Sequence, residues 1–191
     1  MKKEVEIEVS ARHIHLSKSD YDFLFGAETP YKEIKELSQF DEFATDKIVT
    51  IVGPKGKLDV RFLSPFRPET QVEFALTDCF ETGIVAPYET NIANGCANIT
   101  LKTERAEIHR CALMVTKRHL HASPVDAKEF GISDGSQVKV AVATDRGRVV
   151  FDNVTVKVAD NFQLRVHLDT DEGNAAGIKG AATGELIVDE K

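Results

Sequence analysis

The amino-acid sequence predicts a mainly β protein, organised as two related β-barrels with short capped helices and a small insert. Two observations carry the prediction. Short runs rich in β-branched residues recur between turn signals, and helical signals are few, a pattern that suits barrels or a sandwich. The chain also repeats itself once: residues 9–20 read VSARHIHLSKSD and residues 115–126 read VTKRHLHASPVD. Val9/Val115, Arg12/Arg118, His13/His119, His15/His121, Ser17/Ser123 and Asp20/Asp126 are identical without a gap. Two copies of one unit argue for two related barrels rather than one.

The repeated unit reads as strand, R-H-x-H, short helix, glycine. Residues 5–9 and 111–115 supply the strands that precede the two motifs. Ser17-Lys18-Ser19-Asp20 and Ser123-Pro124-Val125-Asp126 fit the S-x-x-D/E capping box, which makes these Ser and Asp residues caps rather than catalysts. Pro124 takes the first helical position, where its missing N–H costs nothing, and the helices close on Gly26 and Gly131. Residues 27–44 lack periodicity and read as an insert. Strands 47–52 and 58–62 flank the turn signal Gly53-Pro54-Lys55-Gly56. Runs 70–75, 97–102, 137–143, 148–151, 154–158 and 163–168 complete the strand pattern, with Asp134-Gly135 and Arg146-Gly147 marking turns.

Composition excludes several classes. The 191 residues are 42% hydrophobic and 29% charged, an ordinary globular mix, and no apolar run approaches the ~20 residues that cross a bilayer. Lys plus Arg total 24 against 31 Asp plus Glu, a net charge of -7 with no basic tract, which is a poor basis for nucleic-acid binding. The alternating strand follows Met1-Lys2-Lys3 at once, without the apolar core of a secretory signal. Cys79, Cys96 and Cys111 are odd in number and lack CxxC spacing, so three reduced thiols of a cytoplasmic protein are expected.

Five of the six histidines form a pattern. Residues i and i+2 of an extended segment face the same side, so His13 with His15, and His119 with His121, can each share one metal ion. One HxH pair is a weak motif; its recurrence at matching positions favours metal. A catalytic zinc takes three protein ligands and keeps an open position, so each pair needs one more. His167 can complete one set, and Glu73 is the best acid for the other, with Glu69, Asp78, Asp169 and Asp171 as competitors. His109 has no such pairing and reads as an ordinary histidine.

These residues resemble the phosphate acyltransferases of the propanediol-utilisation type, a phosphotransacylase family of bacterial microcompartments and their free relatives. The likeness spans nearly the whole chain and rests on S-A-R-H-I-H-L-S at 10–17, P-x-R-x-x-T-Q-V-E at 65–73 with T-D at 77–78, R-H-L-H at 118–121, and H-L-D-T-D-E-G-N-A-A-G at 167–177. Departures from the usual family forms fall at Ser64, at Lys117 and Ala122 around the second pair, and at Ala75-Leu76, and they leave every candidate ligand intact. The resemblance implies a zinc held by His13, His15 and Glu73 and a second held by His119, His121 and His167. It implies that Arg67 binds phosphate and that coenzyme A contacts Ser10, Lys55, Arg61 and Asn174. The implied fold exchanges strands: residues 1–11 with 117–191 form one barrel, 12–26 with 45–116 the other, and 27–44 is the insert, with the active site between the barrels.

The expected reaction is acyl-CoA + phosphate = acyl phosphate + CoA, with acetyl or propanoyl as the acyl group. The residues alone leave two alternatives open, a binuclear zinc hydrolase and a non-catalytic zinc-binding β-barrel module. Acyl-CoA and phosphate are the expected partners, with metabolic coupling to an acetate or propionate kinase and a homodimer as the oligomer allowed for. Neither nucleic acid nor membrane is expected. Residues 1–4 are too few for even a marginal helix, so the chain is expected to be cytoplasmic and not encapsulated in a microcompartment.

Overall fold

A computed structural model describes residues 3–188. Each R-H-x-H motif forms a short strand, and each is followed by a capped helix. In chain order the first half contains β1 (Lys3–Ser10), β2 (His13–His15), α1 (Lys18–Phe25), β3 (Glu33–Glu36), β4 (Phe43–Val52), β5 (Lys57–Ser64), β6 (Gln71–Phe74), α2 (Leu76–Thr82), β7 (Tyr88–Glu89) and β8 (Ala97–Lys102), with a 3₁₀ turn at Ile92–Asn94. The second half contains β9 (Glu107–Thr116), β10 (His119–Ala122), α3 (Pro124–Phe130), β11 (Gln137–Thr144), β12 (Gly147–Val158), β13 (Arg165–Asp169), α4 (Thr170–Ala176) and β14 (Ala181–Ile187). No helix among the described residues is long and apolar enough to cross a membrane.

Two closed rings of six strands result. One runs β1-β13-β10-β12-β11-β14 and back to β1. The other runs β9-β6-β2-β5-β4-β8 and back to β9. The pairings correspond one for one. β1 lies parallel to β13 as β9 does to β6, β10 parallel to β12 as β2 does to β5, and β10 antiparallel to β13 as β2 does to β6. The duplication therefore extends well beyond the motifs: β1, β2, α1, β4, β5, β6, α2 and β8 recur as β9, β10, α3, β11, β12, β13, α4 and β14, while β3 and β7 have no counterpart among the described residues. Strand β1 completes the ring of the second half and β9 the ring of the first, so the two repeats exchange their first strands. The chain accordingly divides into a terminal unit, residues 1–11 with 117–191, and a central unit, residues 12–116. Segment 27–44 belongs to the central unit and contributes β3, paired antiparallel with the start of β4.

Closure removes the exposed sheet edges that open barrels would present. Alternation fills each interior: Ile14, Val49, Ile51, Val60, Phe62, Val72, Leu101 and Leu113 pack in the central unit. Val5, Ile7, Leu120, Val140, Val154, Val156 and Val166 pack in the terminal unit. Runs 148–151 and 154–158 are one strand, β12, and not two. Asn153 adopts φ 54°, and the register shifts between Val138/Val154 and Val140/Phe151. One extra residue at this bulge moves the inward set from Phe151 to Val154 and Val156.

The helix signals behave as the capping chemistry dictates. Ser17 Oγ accepts from the Asp20 amide, and Ser123 and Asp126 form a reciprocal box. Asp20 does not close its own box. Its carboxylate instead accepts from Thr70 Oγ1 at 2.7 Å and from Nε and Nη2 of Arg110. The polar run after β13 is helix α4, capped reciprocally by Asp169 and Glu172. The cysteines correct the expectation of three free thiols. Cys111 pairs in register beside Asn98, which brings Cys96 across the β8–β9 hairpin, and the two are joined in a disulfide with Cα atoms 5.4 Å apart. Cys79 is buried and takes no part in the disulfide.

Candidate active site

The first histidine pair owes its geometry to one strand and its register. Ile14 points into the barrel, so His13 and His15 share the opposite face of β2. Strand β6 runs antiparallel beside it, pairing His13 with Glu73 and His15 with Gln71. Directly opposed residues bring their side chains together on one face. His13 Nε2 accordingly lies 3.7 Å from Glu73 Oε1, and one ligand atom from each of His13, His15 and Glu73 lies within 4.8 Å of the others.

The donor chemistry of this trio suits a metal. His15 is buried, and its Nδ1 has no hydrogen-bond partner, an orphaned acceptor of the kind a metal satisfies. Burial holds the His15 pKa well below the ordinary value of 6.5, reinforced by the positive charge of Arg67. A neutral imidazole is the ligating form. Glu73 is oriented at both oxygens: Gln71 Nε2 donates to Oε1 at 2.6 Å and Thr116 Oγ1 to Oε2 at 3.0 Å.

The second trio sits on equivalent strands of the terminal unit. His119 pairs across β10 and β13 with His167, as His13 does with Glu73. The ring centroids of His119, His121 and His167 lie 4.6–5.1 Å apart. Nδ1 of His119 donates to the Lys117 carbonyl at 2.9 Å, so Nε2 is the ring nitrogen that a metal could take. Phe162 stacks on His121 with centroids 3.8 Å apart. Among the described residues, however, only the His13–His15–Glu73 trio brings its donor atoms within 4.8 Å of one another.

Arg67 lies between β5 and β6, its amide donating to the Leu16 carbonyl, and its charge bears on His15. Its Nη2 donates to Glu42 Oε1 at 2.6 Å, a contact the sequence reading did not foresee because Glu42 lies in the aperiodic segment. Arg61 is the parallel-strand neighbour of His13 and donates from Nη1 to the Thr45 carbonyl at 2.6 Å. Exposed Lys55 caps the β4–β5 turn, and its amide donates to the Thr82 carbonyl. Ser10 ends β1 beside Asp169, and Asn174 lies exposed on α4. Lys55 and Arg61 thus belong to the central unit, Ser10 and Asn174 to the terminal one. Of the acids competing with Glu73, Asp78 and Asp169 are committed to helix caps and Glu69 is exposed. Gln71 could have been found from the sequence, since i and i+2 share a face; nothing in the spacing pointed to Thr116 or Phe162.

The sequence matches the family profile described as phosphate propanoyltransferase over residues 6–179. The chain belongs to that family. Relatives named phosphate propanoyltransferase agree along nearly the full length. That of Shewanella putrefaciens is 41% identical over 98% of this chain and 90% of its own length. That of Alkaliphilus metalliredigens is 44% identical over 96% and 88%, and that of Thermotoga maritima 40% identical over 94% and 85%. As a member of the phosphate propanoyltransferase family, the chain is an acyltransferase enzyme.

Proposed function

We propose that the chain is a zinc-dependent phosphate acyltransferase that interconverts acyl-CoA and phosphate with acyl phosphate and free CoA. The observation that carries this reading is the His13–His15–Glu73 cluster with the charge of Arg67 beside it, in a chain of this family. Acetyl and propanoyl groups are the proposed acyl donors. The acyl phosphate formed suits an acyl kinase that makes ATP.

The residues take the following roles. His13, His15 and Glu73 hold one zinc, and His119, His121 and His167 hold a second. Bound zinc supplies a Lewis acid for the thioester carbonyl and a soft partner for the departing sulfur. Arg67 grips phosphate through its planar fork and holds an oxygen in line with the carbonyl carbon. Glu42 engages its Nη2, so phosphate must draw the fork away from that carboxylate. Lys55 and Arg61 suit the phosphates of CoA by charge, and Ser10 and Asn174 suit it as polar contacts. The phosphate oxygen attacks the acyl carbon, the C–S bond breaks, and CoA leaves as thiolate.

Direct attack in a ternary complex is favoured over an acyl-cysteine route. Cys79 is buried in the core, and Cys96 and Cys111 are bonded to each other. Neither alternative that the residues left open, hydrolase or non-catalytic module, draws support from a family of acyltransferases. The test is release of free CoA from acetyl-, propanoyl- and butanoyl-CoA with and without phosphate. Strictly phosphate-dependent release is expected; release at the same rate in its absence would make the chain a hydrolase.

A further inference from the structure

The arginine of each R-H-x-H motif makes the same contact in both repeats. Arg12 Nη1 donates to Asp78 Oδ1 at 2.8 Å, and Arg118 Nε donates to Glu172 Oε1 at 2.6 Å. Asp78 and Glu172 are the third residues of the equivalent helices α2 and α4. The second oxygen of each accepts the amide of the residue that opens its helix, Ala75 to Asp78 Oδ2 at 3.0 Å and Asp169 to Glu172 Oε2 at 3.2 Å. That opening residue follows the third candidate ligand by two positions, Glu73 before Ala75 and His167 before Asp169. Each arginine precedes the first candidate ligand of its own trio by one.

A closed circuit results in each unit. It runs from His13 through Arg12, Asp78 and the Ala75 amide to Glu73, and from His119 through Arg118, Glu172 and the Asp169 amide to His167. In both units the strand pairing of first and third ligand completes it. We infer that Arg12–Asp78 and Arg118–Glu172 are positioning pairs, each fixing the third metal ligand against the HxH strand of its own unit. The inference rests on the ligand sets proposed above.

A surface ion pair would not require this pattern. Asp78 is buried, with its side chain 6% exposed, and a buried carboxylate keeps its partners because losing one leaves an uncompensated charge. The same bifurcated acceptor is built with Asp in one repeat and Glu in the other, and with Ala in one opening position and Asp in the other. Different side chains thus maintain one contact. The circuit also accounts for the identity of Arg12 and Arg118, which the histidines alone do not.

The test reads metal affinity and not turnover. In a His119→Ala/His121→Ala background, which leaves the first set alone, Arg12→Gln is expected to weaken zinc roughly tenfold to a hundredfold in competition with a chromophoric chelator. The visible spectrum of the cobalt-loaded protein should change with it. Asp78→Asn should match Arg12→Gln, the double variant should be no weaker than either single one, and Asp78→Glu should retain affinity, since Glu serves at the equivalent position. In a His13→Ala/His15→Ala background, Arg118→Gln should do the same to the second set and Arg12→Gln nothing. Unchanged zinc affinity and cobalt spectrum in Arg12→Gln would overturn the positioning role alone. A protein with all its histidines that takes up no metal would overturn the ligand assignment, and the positioning role with it.

Discussion

Replacing Glu42 by Gln separates charge from shape at Arg67. The amide oxygen of Gln can still accept from Nη2, so the geometry is kept while the negative charge beside the proposed phosphate-binding fork is removed. The ion pair spans 2.6 Å, with side chains 40% exposed for Arg67 and 23% for Glu42. Fully exposed pairs contribute about 0.2–1 kcal/mol and hydrogen bonds to charged groups about 1.5–3 kcal/mol. The charge part of such a partly exposed pair, which Gln removes while keeping the hydrogen bond, is about 1 kcal/mol, and phosphate must offset it when it takes the guanidinium. Its removal is expected to lower the KM for phosphate about fivefold, with the KM for acyl-CoA unchanged. The assay is initial-rate release of CoA at saturating acyl-CoA over a phosphate series, run beside Arg67→Ala. A phosphate KM that stays the same or rises in Glu42→Gln, with Arg67→Ala still impaired, would show that Glu42 does not compete for the arginine. An unimpaired Arg67→Ala would remove phosphate binding from Arg67 itself.

Two further outcomes concern stability. Burial raises the pKa of Asp20, but hydrogen bonds from Arg110 and Thr70 more than offset this and hold it below the ordinary 3.8. Its contribution is therefore complete above that value and lost as pH falls through the lower folded pKa, and Arg110→Ala should cost about 1–3 kcal/mol at neutral pH and flatten the acid limb of the melting curve. Equal melting temperatures at pH 7 would refute the pairing. Gly53→Ala would set a Cβ 2.4 Å from the Thr82 carbonyl oxygen, a backbone atom that cannot swing away, so a loss of about 1–3 kcal/mol is expected in thermal denaturation. A melting temperature unchanged by that substitution would show that the β4–β5 turn yields freely.

The legible parts of this molecule were those with a short-range cause. The R-H-x-H strands, the Ser-capped helices and the glycines that end them announce themselves within a dozen residues. Helices α2 and α4 did not, because seven residues hold too few turns for a periodic pattern. Ala75 offers no capping side chain, and Gly173 interrupts T-D-E-G-N-A-A like a loop. Its glycine has a tertiary reason: a Cβ there would lie 2.5 Å from Val9 Cγ2 on a strand far away in sequence. Strand register is likewise non-local. A slip of one residue would turn Glu73 to the other face of β6, so its place opposite His13 depends on pairing across the barrel. The join between Cys96 and Cys111 depends on the β8–β9 hairpin, not on their spacing. The identity of Arg12 and Arg118 was visible in the repeat, but its meaning lay in acids more than fifty residues further on.

Each repeat gives its first strand away. A chain made of one repeat alone could not seal its ring with that strand in the place it occupies here, and the gap would expose two unsatisfied sheet edges. Two such chains could seal both rings by trading those strands, and each ring would then contain five strands from one chain and one from the other. The present polypeptide has the architecture of that pair joined end to end, with the complementation made within one chain. Fusion replaces a concentration-dependent encounter by a tether, and it also frees the two copies to diverge. One ring could keep a histidine where the other carries Glu73, an asymmetry that two identical chains could not have held.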